Sequence, residues 1–186
     1  MRIVAGRHRG RRLRAPAGQA TRPTADRVRE ALFSMLGSVH GQRVLDLFAG
    51  TGALGLEAVS RGAAAAVFVE RSAPALAALG ANVQALGLNP EQAEIRAQTV
   101  RAALRRARER GETYDLVLVD PPYGQASALG GELSDALPAL LGPGARVVTE
   151  SDRHAPIELA LPVVLTRRYG DTVIAIHHPP GDPAPR

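Results

Sequence analysis

Residues 44–55 read VLDLFAGTGALG, an apolar strand-like run that breaks into glycines and resumes as a helix. A chain that passes from strand to helix in so few residues needs positive φ angles and bare backbone, and glycine supplies both without a steric penalty. Gly50, Gly52 and Gly55 satisfy the spacing G-x-G-x-x-G, found where a nucleotide-like ligand lies against a strand end. Taken alone the spacing is a weak signal, because any ligand approaching that closely needs glycines there. Its structural demand is stronger: a buried strand feeding a helix belongs to a parallel sheet covered on both faces.

The surrounding sequence keeps the alternation. Val44–Phe48 reads as a buried strand and Leu54–Arg61 as a short helix closed by Gly62. Ala65–Glu70 is a second strand, followed by a helix to about Leu86 with Leu76, Leu79, Val83 and Leu86 on one face. A weak strand over Glu94–Ala97 precedes a helix from Val100 to Arg110, and Tyr114–Asp120 is the clearest buried strand. A helix ending near Leu141 and a strand over Ala145–Glu150 follow, and Leu161–Arg168 and Thr172–His178 flank the hairpin signal Tyr169-Gly170-Asp171. Upstream, Thr24 is a candidate N-cap for a helix running to about Leu36, with Val28, Leu32, Met35 and Leu36 inward and Gly37 as its stop. The expected class is α/β, a mostly parallel sheet with an antiparallel hairpin at one edge. A chain of 186 residues suits one domain, here 21–178, between an N-terminal arm (1–20) and a frayed tail (179–186).

Two acids give the glycine turn its chemistry. Asp46 sits inside the strand just before the turn, where a carboxylate can hold a cationic or amino group but repels a pyrophosphate, and the turn carries no basic residue. Glu70 ends the next strand, placed to accept hydrogen bonds from two ribose hydroxyls. That geometry is common to NAD and S-adenosyl-L-methionine sites; the plainer alternative is that both acids cap helices or pair with arginines. Asp120-Pro121-Pro122-Tyr123 then follows the best strand and faces the same crevice. Successive prolines fix the backbone and leave their carbonyls free as acceptors. A carboxylate and a fixed carbonyl can take both hydrogens of an exocyclic amine while the aromatic ring stacks on the attached base, turning the nitrogen lone pair toward an electrophile.

Charge is distributed unevenly. All 23 basic residues are arginine, which with the abundant Ala, Gly and Pro reads as a GC-rich coding sequence and carries little functional weight by itself. Residues 1–29, however, hold nine arginines and the single acid Asp26, a net of +8, against −3 for the remainder. A basic arm on a mildly acidic body is the pattern of a protein that grips phosphates. Apolar spots at Ile3-Val4 and Leu13, separated by glycine-bearing basic turns, suggest a small hairpin or extended arm. The arginines at 101, 105, 106, 108 and 110 fit a solvated helix face, and His40, His154, His177 and His178 are expected at the surface. The absence of cysteine excludes disulfides, thiol catalysis and thiolate metal sites, and no metal is expected. No apolar run is long enough for a membrane span, so a soluble, cytoplasmic protein is expected.

DLFAGTGALGLEAVSRGA together with DPPY resembles the S-adenosyl-L-methionine-dependent amino-group methyltransferases. The opening MRIVAGRHRGRRLRAP and RPTADRVREALFSML resemble specifically the RsmD family, bacterial 16S ribosomal RNA guanine-N2 methyltransferases, and the likeness runs from Met1 to about Ile176. The resemblance implies a Rossmann-like seven-strand sheet with a basic N-terminal β-hairpin. It implies methylation of guanine 966 of 16S rRNA within an assembling or assembled small ribosomal subunit. By the same resemblance Asp46, Phe48, Ala49, Gly50 and Gly52 form the cofactor cradle, Glu70 holds the ribose, and Arg71 lies beside the adenine with Gln98 as a candidate contact. Asp120, Pro121, Pro122 and Tyr123 receive the guanine, splayed from its helix. Arg7, His8, Arg9, Arg11, Arg12 and Arg14 face rRNA, with Arg22 and Thr24 at the site's mouth. A monomer is expected, since one site per subunit needs no symmetry. The rival readings are a DNA adenine-N6 methyltransferase, which lacks room here for a target-recognition region, an NAD-dependent oxidoreductase, which leaves DPPY unexplained, and a non-enzymatic RNA-binding assembly factor.

Overall fold

A computed structural model describes residues 1–16, 23–122 and 126–179, with 23–25 and 126–128 by backbone alone. After helix α1 (Pro23–Leu36) the chain alternates β1 (Arg43–Asp46), α2 (Ala53–Ser60), β2 (Ala65–Glu70), α3 (Ala73–Ala85), β3 (Ala93–Ala97), α4 (Val100–Glu109), β4 (Tyr114–Val119) and α5 (Ala126–Ala136). A 3-10 turn, Pro138–Leu140, leads into β5 (Leu141–Asp152), and β6 (Val163–Tyr169) and β7 (Thr172–His177) close the fold. The seven strands lie in the order β3-β2-β1-β4-β5-β7-β6. The first five are parallel, and β7 pairs antiparallel with both β5 and β6.

Strand alternation divides the core. Val44, Ala66, Phe68, Leu116, Leu118 and Val148 face one side, where they pack with Leu32 and Phe33 of α1, Leu56 of α2 and Leu79 of α3. Leu45, Val67, Val69, Val117, Val119 and Val147 face the other, against Leu104 of α4 and Leu133 of α5. With both faces covered, the central strands are apolar at nearly every position, which is why they are visible in sequence.

Several boundaries differ from the sequence expectation. Pro23 opens α1, so Thr24 lies within its first turn rather than capping it; proline suits that first position because its missing N–H has no intrahelical partner there. The helix expected to reach Leu141 ends at Ala136, and Leu141 already begins β5. The expected strand over Ala145–Glu150 is longer at both ends, and the Gly142-Pro143-Gly144 stretch is absorbed as a bulge: Tyr114 pairs with Leu141, and Leu116 next pairs with Arg146. His177, expected at the surface, is buried on β7, its ring 3.4 Å from Thr149 Oγ1 and 3.3 Å from the Leu161 carbonyl.

The N-terminal segment is a hairpin, bridged antiparallel at Arg2 and Arg12, but it is not a free arm. Ile3 and Leu13 are buried in the α1–α3 side of the core. Val4 and Ala5 donate their backbone N–H groups to the two carboxylate oxygens of Glu57 on α2, at 2.7 and 2.9 Å. Arg7 N–H donates to the Ser60 carbonyl at 2.8 Å, and Arg14 N–H to Asn82 Oδ1 on α3 at 2.7 Å. At Gly6, with φ +83°, a Cβ would fall 1.9 Å from the Ser60 carbonyl oxygen, so only glycine lets the hairpin lie this close to α2.

Candidate active site

The sheet reverses its winding between β1 and β4, and a cleft of about 1110 Å³ opens where their carboxyl ends diverge. Asp46, Phe48, Ala49, Gly50, Glu70, Arg71, Gln98, Asp120, Pro121 and Pro122 all line it. Gly52 stands behind the lining as the N-cap of α2, with φ +81°; a Cβ there would meet Leu79 Cδ1 at 2.4 Å. Tyr123 and Arg22 lie outside the described residues, as does the side chain of Thr24.

Asp46 is buried and accepts the Gly55 N–H at 3.0 Å, so the carboxylate ties the strand end to the helix that follows. Burial pushes its pKa up to about 7; Glu70 adds to the rise, and the Gly55 and Phe48 N–H groups oppose it. Glu70 accepts three backbone N–H groups, from Gly50 at 2.8 Å and from Arg71 and Ser72 at 2.7 Å each. Both acids therefore do hold helix starts and turns, the plainer role weighed from sequence, while also lining the cleft. Gln98 is anchored through its N–H to the Glu70 carbonyl at 3.0 Å, and its side-chain Nε2 is buried without a hydrogen-bond partner among the described residues.

Asp120 opens onto the cleft at the end of β4, ringed by protein. That crowding first, then the carboxylates of Glu150 and Asp46, holds its pKa well above the usual carboxylate range. Glu150, at the end of the expected Ala145–Glu150 strand, lines the same cleft and is raised by burial, with Arg29 opposing. Arg29 is itself buried on α1, where it donates to the Arg2 carbonyl and to Asp26 Oδ1 at 2.9 Å and lies 3.4 Å from Glu57. Met1, Ala15 and Pro16 bring the ends of the hairpin to the cleft rim.

Sequence reasoning alone misses Glu150, Arg29, Asn82 and Glu57. For Glu150 a signal exists, since an acid at a strand's carboxyl end also marks Glu70 and Asp120. Arg29, Glu57 and Asn82 give none, because a polar residue within a helix reads as solvated until its partner is known. Arg7, Arg9, Arg11, Arg12 and Arg14 are exposed along the hairpin, outside the cleft lining. His8 is half-buried with its backbone N–H on Ser60 Oγ at 3.0 Å, and burial followed by Arg7 and Arg11 lowers its pKa. Arg101, expected on a solvated helix face, sits on the cleft rim with Glu132 3.7 Å away. Among the described residues no group of His, Asp and Glu has metal-site geometry, and no helix is long and apolar enough to cross a membrane.

The chain is 37% identical over 182 residues to a protein of Bacillus subtilis named putative rRNA methyltransferase YlbH, covering 95% of this chain and 98% of that protein. It is 35% identical over 163 residues to the Haemophilus influenzae ribosomal RNA small subunit methyltransferase D, covering 84% and 81%. A solved structure of a putative methyltransferase from Escherichia coli superposes with a TM-score of 0.79 at 31% identity, covering 95% of this chain and 96% of that one. Residues 1–178 match the family described as Conserved hypothetical protein 95, and with that match and these relatives the chain belongs to the RsmD family.

Proposed function

We propose that this chain transfers a methyl group from S-adenosyl-L-methionine to the exocyclic N2 of a guanine in 16S rRNA, guanine 966 of the small ribosomal subunit. The observation that carries the reading is the convergence of Asp120-Pro121-Pro122 on the same cleft as the 46–52 turn and Glu70. The names of its relatives, rRNA methyltransferases, support the substrate class.

The donor set suits the cofactor. Glu70 spends three acceptor positions on backbone N–H groups, and a carboxylate has about four, which leaves capacity for a ribose hydroxyl. The buried, unpaired amide of Gln98 fits a purine edge, and the bare backbone at Gly50 lets a ligand approach the turn. When bound, S-adenosyl-L-methionine supplies an electrophilic methyl group. Asp120 and the carbonyls freed by Pro121 and Pro122 hold and turn the target amine at the cleft. No enzyme thiol is present to form a covalent intermediate, so direct in-line displacement is the route this chain supports. The exposed arginines of the hairpin grip phosphates of a base-splayed RNA, and the family resemblance adds Arg22 and Thr24 to the RNA contacts and Tyr123 as the residue that stacks on the base.

The test is transfer of tritiated methyl from S-adenosyl-L-methionine to deproteinised 16S RNA and to small subunits from a strain lacking this protein. Label mapped to a guanine N2 on the particle is the expected result. Label in duplex DNA alone, or none in any RNA, overturns the reading.

A further inference from the structure

Glu150 has no part in the mechanism above, yet it lies on the strand beside Asp120, near the carboxyl end of β5. In the β4–β5 ladder Leu118 pairs with Val148 and Val119 with Thr149, so the next residues, Asp120 just past β4 and Glu150 still within β5, stand at one level. Leu118 and Val148 face the α1–α3 side, and strand alternation sends Asp120 and Glu150 to that side too. Both line the cleft, and the Glu150 carboxyl makes no hydrogen bond among the described residues. Arg29, buried and cleft-lining, is the cation whose charge reaches it, while its own contacts are with the Arg2 carbonyl, Asp26 and Glu57. The pair is unequal. Burial raises both, but Asp120 is further raised by Glu150 and Asp46 whereas Glu150 is eased by Arg29.

A hydrogen-bond acceptor beside the amine-holding carboxyl discriminates between purines. On the Watson–Crick edge of guanine, N1–H and the N2 amine are adjacent donors, whereas in adenine the amine stands beside an acceptor nitrogen. An acceptor oxygen at that second position gains a hydrogen bond from guanine and meets a lone pair in adenine, and buried polar mismatches of this kind reject a ligand strongly. We propose that Glu150 is a specificity-determining residue that accepts the guanine N1–H while Asp120 holds the N2 amine. This rests on the guanine-N2 reading above.

The experiment uses the full chain as wild type, Glu150→Ala and Glu150→Gln, each checked for folding by thermal unfolding and for S-adenosylhomocysteine affinity by calorimetry. Methyl transfer is compared on small subunits carrying guanine or adenine at the target position. Expected are a fall in kcat/KM on guanine of about 100-fold or more for Glu150→Ala, with S-adenosylhomocysteine affinity held within about threefold. Glu150→Gln, whose amide oxygen still accepts while its NH₂ can donate to adenine N1, should keep more activity on guanine than alanine does and narrow the guanine-to-adenine ratio. Wild-type kcat/KM in a folded Glu150→Ala overturns the proposal, as does a glutamine variant no better than alanine with unchanged discrimination. A wild-type protein that labels no guanine overturns the parent reading instead, before any variant is compared.

Discussion

Asp46 concentrates the tension of this site in one side chain. Its folded pKa of about 7 stands above the 3.8 of an exposed aspartate, so between those values the unfolded chain releases a proton that the folded chain keeps. Stability contributed by this group is complete below about pH 4 and is lost as pH rises toward 7, a difference of about 4 kcal/mol. Asp46→Asn still offers an oxygen to the Gly55 N–H without the charge. The variant should gain stability over the wild type progressively from pH 4 to 7 and no further above, as read by denaturant midpoints across that range; a pH-independent difference would refute the assignment. The role proposed for Asp120 is on substrate instead. Asp120→Ala should abolish methyl transfer while leaving S-adenosyl-L-methionine affinity nearly unchanged in calorimetry, and strong residual turnover would remove it from its role. In both cases the acid is legible as an acid at a strand's end, because strands and their ends are set by local apolar pattern. The coupling of Asp120 to Glu150 is not, because strands β4 and β5 become neighbours only through a crossover.

The N-terminal hairpin shows the same division at the level of an element. Its apolar spots and glycine turns predict a hairpin, and Ile3 and Leu13 do anchor it. Its docking rests on Glu57 and Asn82, two polar residues buried in the middle of helices, and periodicity assigns such residues to solvent. Glu57 accepts Val4 and Ala5 N–H groups and pairs with Arg61 at 2.8 Å and with buried Arg29 at 3.4 Å. Glu57→Ala leaves both amides without their acceptor and takes from buried Arg29 one of its two carboxylates, and should cost about 3–5 kcal/mol in urea unfolding, with loss of amide-exchange protection at Val4 and Ala5. A stability loss below about 1 kcal/mol would show that the hairpin is held by its apolar anchors alone. Removing the hairpin outright is an uninformative test of RNA binding, since it also uncovers the α1–α3 core. Replacing Arg7, Arg9, Arg11 and Arg12 by glutamine leaves the packing intact, because all four are exposed. Those replacements should weaken RNA binding and flatten its salt dependence by about 0.7–0.9 for each phosphate no longer neutralised, with little change in Tm. An unchanged slope would take the hairpin out of the interface.

Across the whole molecule, charge is segregated: +8 within the first 29 residues and −3 over the rest. Six of those arginines, at 2, 7, 9, 11, 12 and 14, lie on the hairpin, whose ends reach the rim of the cleft, and on the proposed function an approaching RNA meets them before the acids inside. Association should accordingly slow steeply between about 50 and 200 mM salt while dissociation of S-adenosylhomocysteine changes little, as stopped-flow measurements would read; an RNA on-rate insensitive to salt would show that the segregation does not steer binding. The alternation of buried runs, the glycine turn and the strand-end acids determined by themselves an α/β sheet with a nucleotide-type crevice, because those features follow from which residues can be buried in a two-sided sheet and which backbone can turn sharply. Only the tertiary structure decided that Glu150 stands beside Asp120, that Arg29 lies buried against both the hairpin and the cleft, and that a basic arm is fastened to α2 and α3. Each of these depends on groups distant in sequence, and burial and hydrogen bonding give a polar side chain its meaning only when the partner is in place.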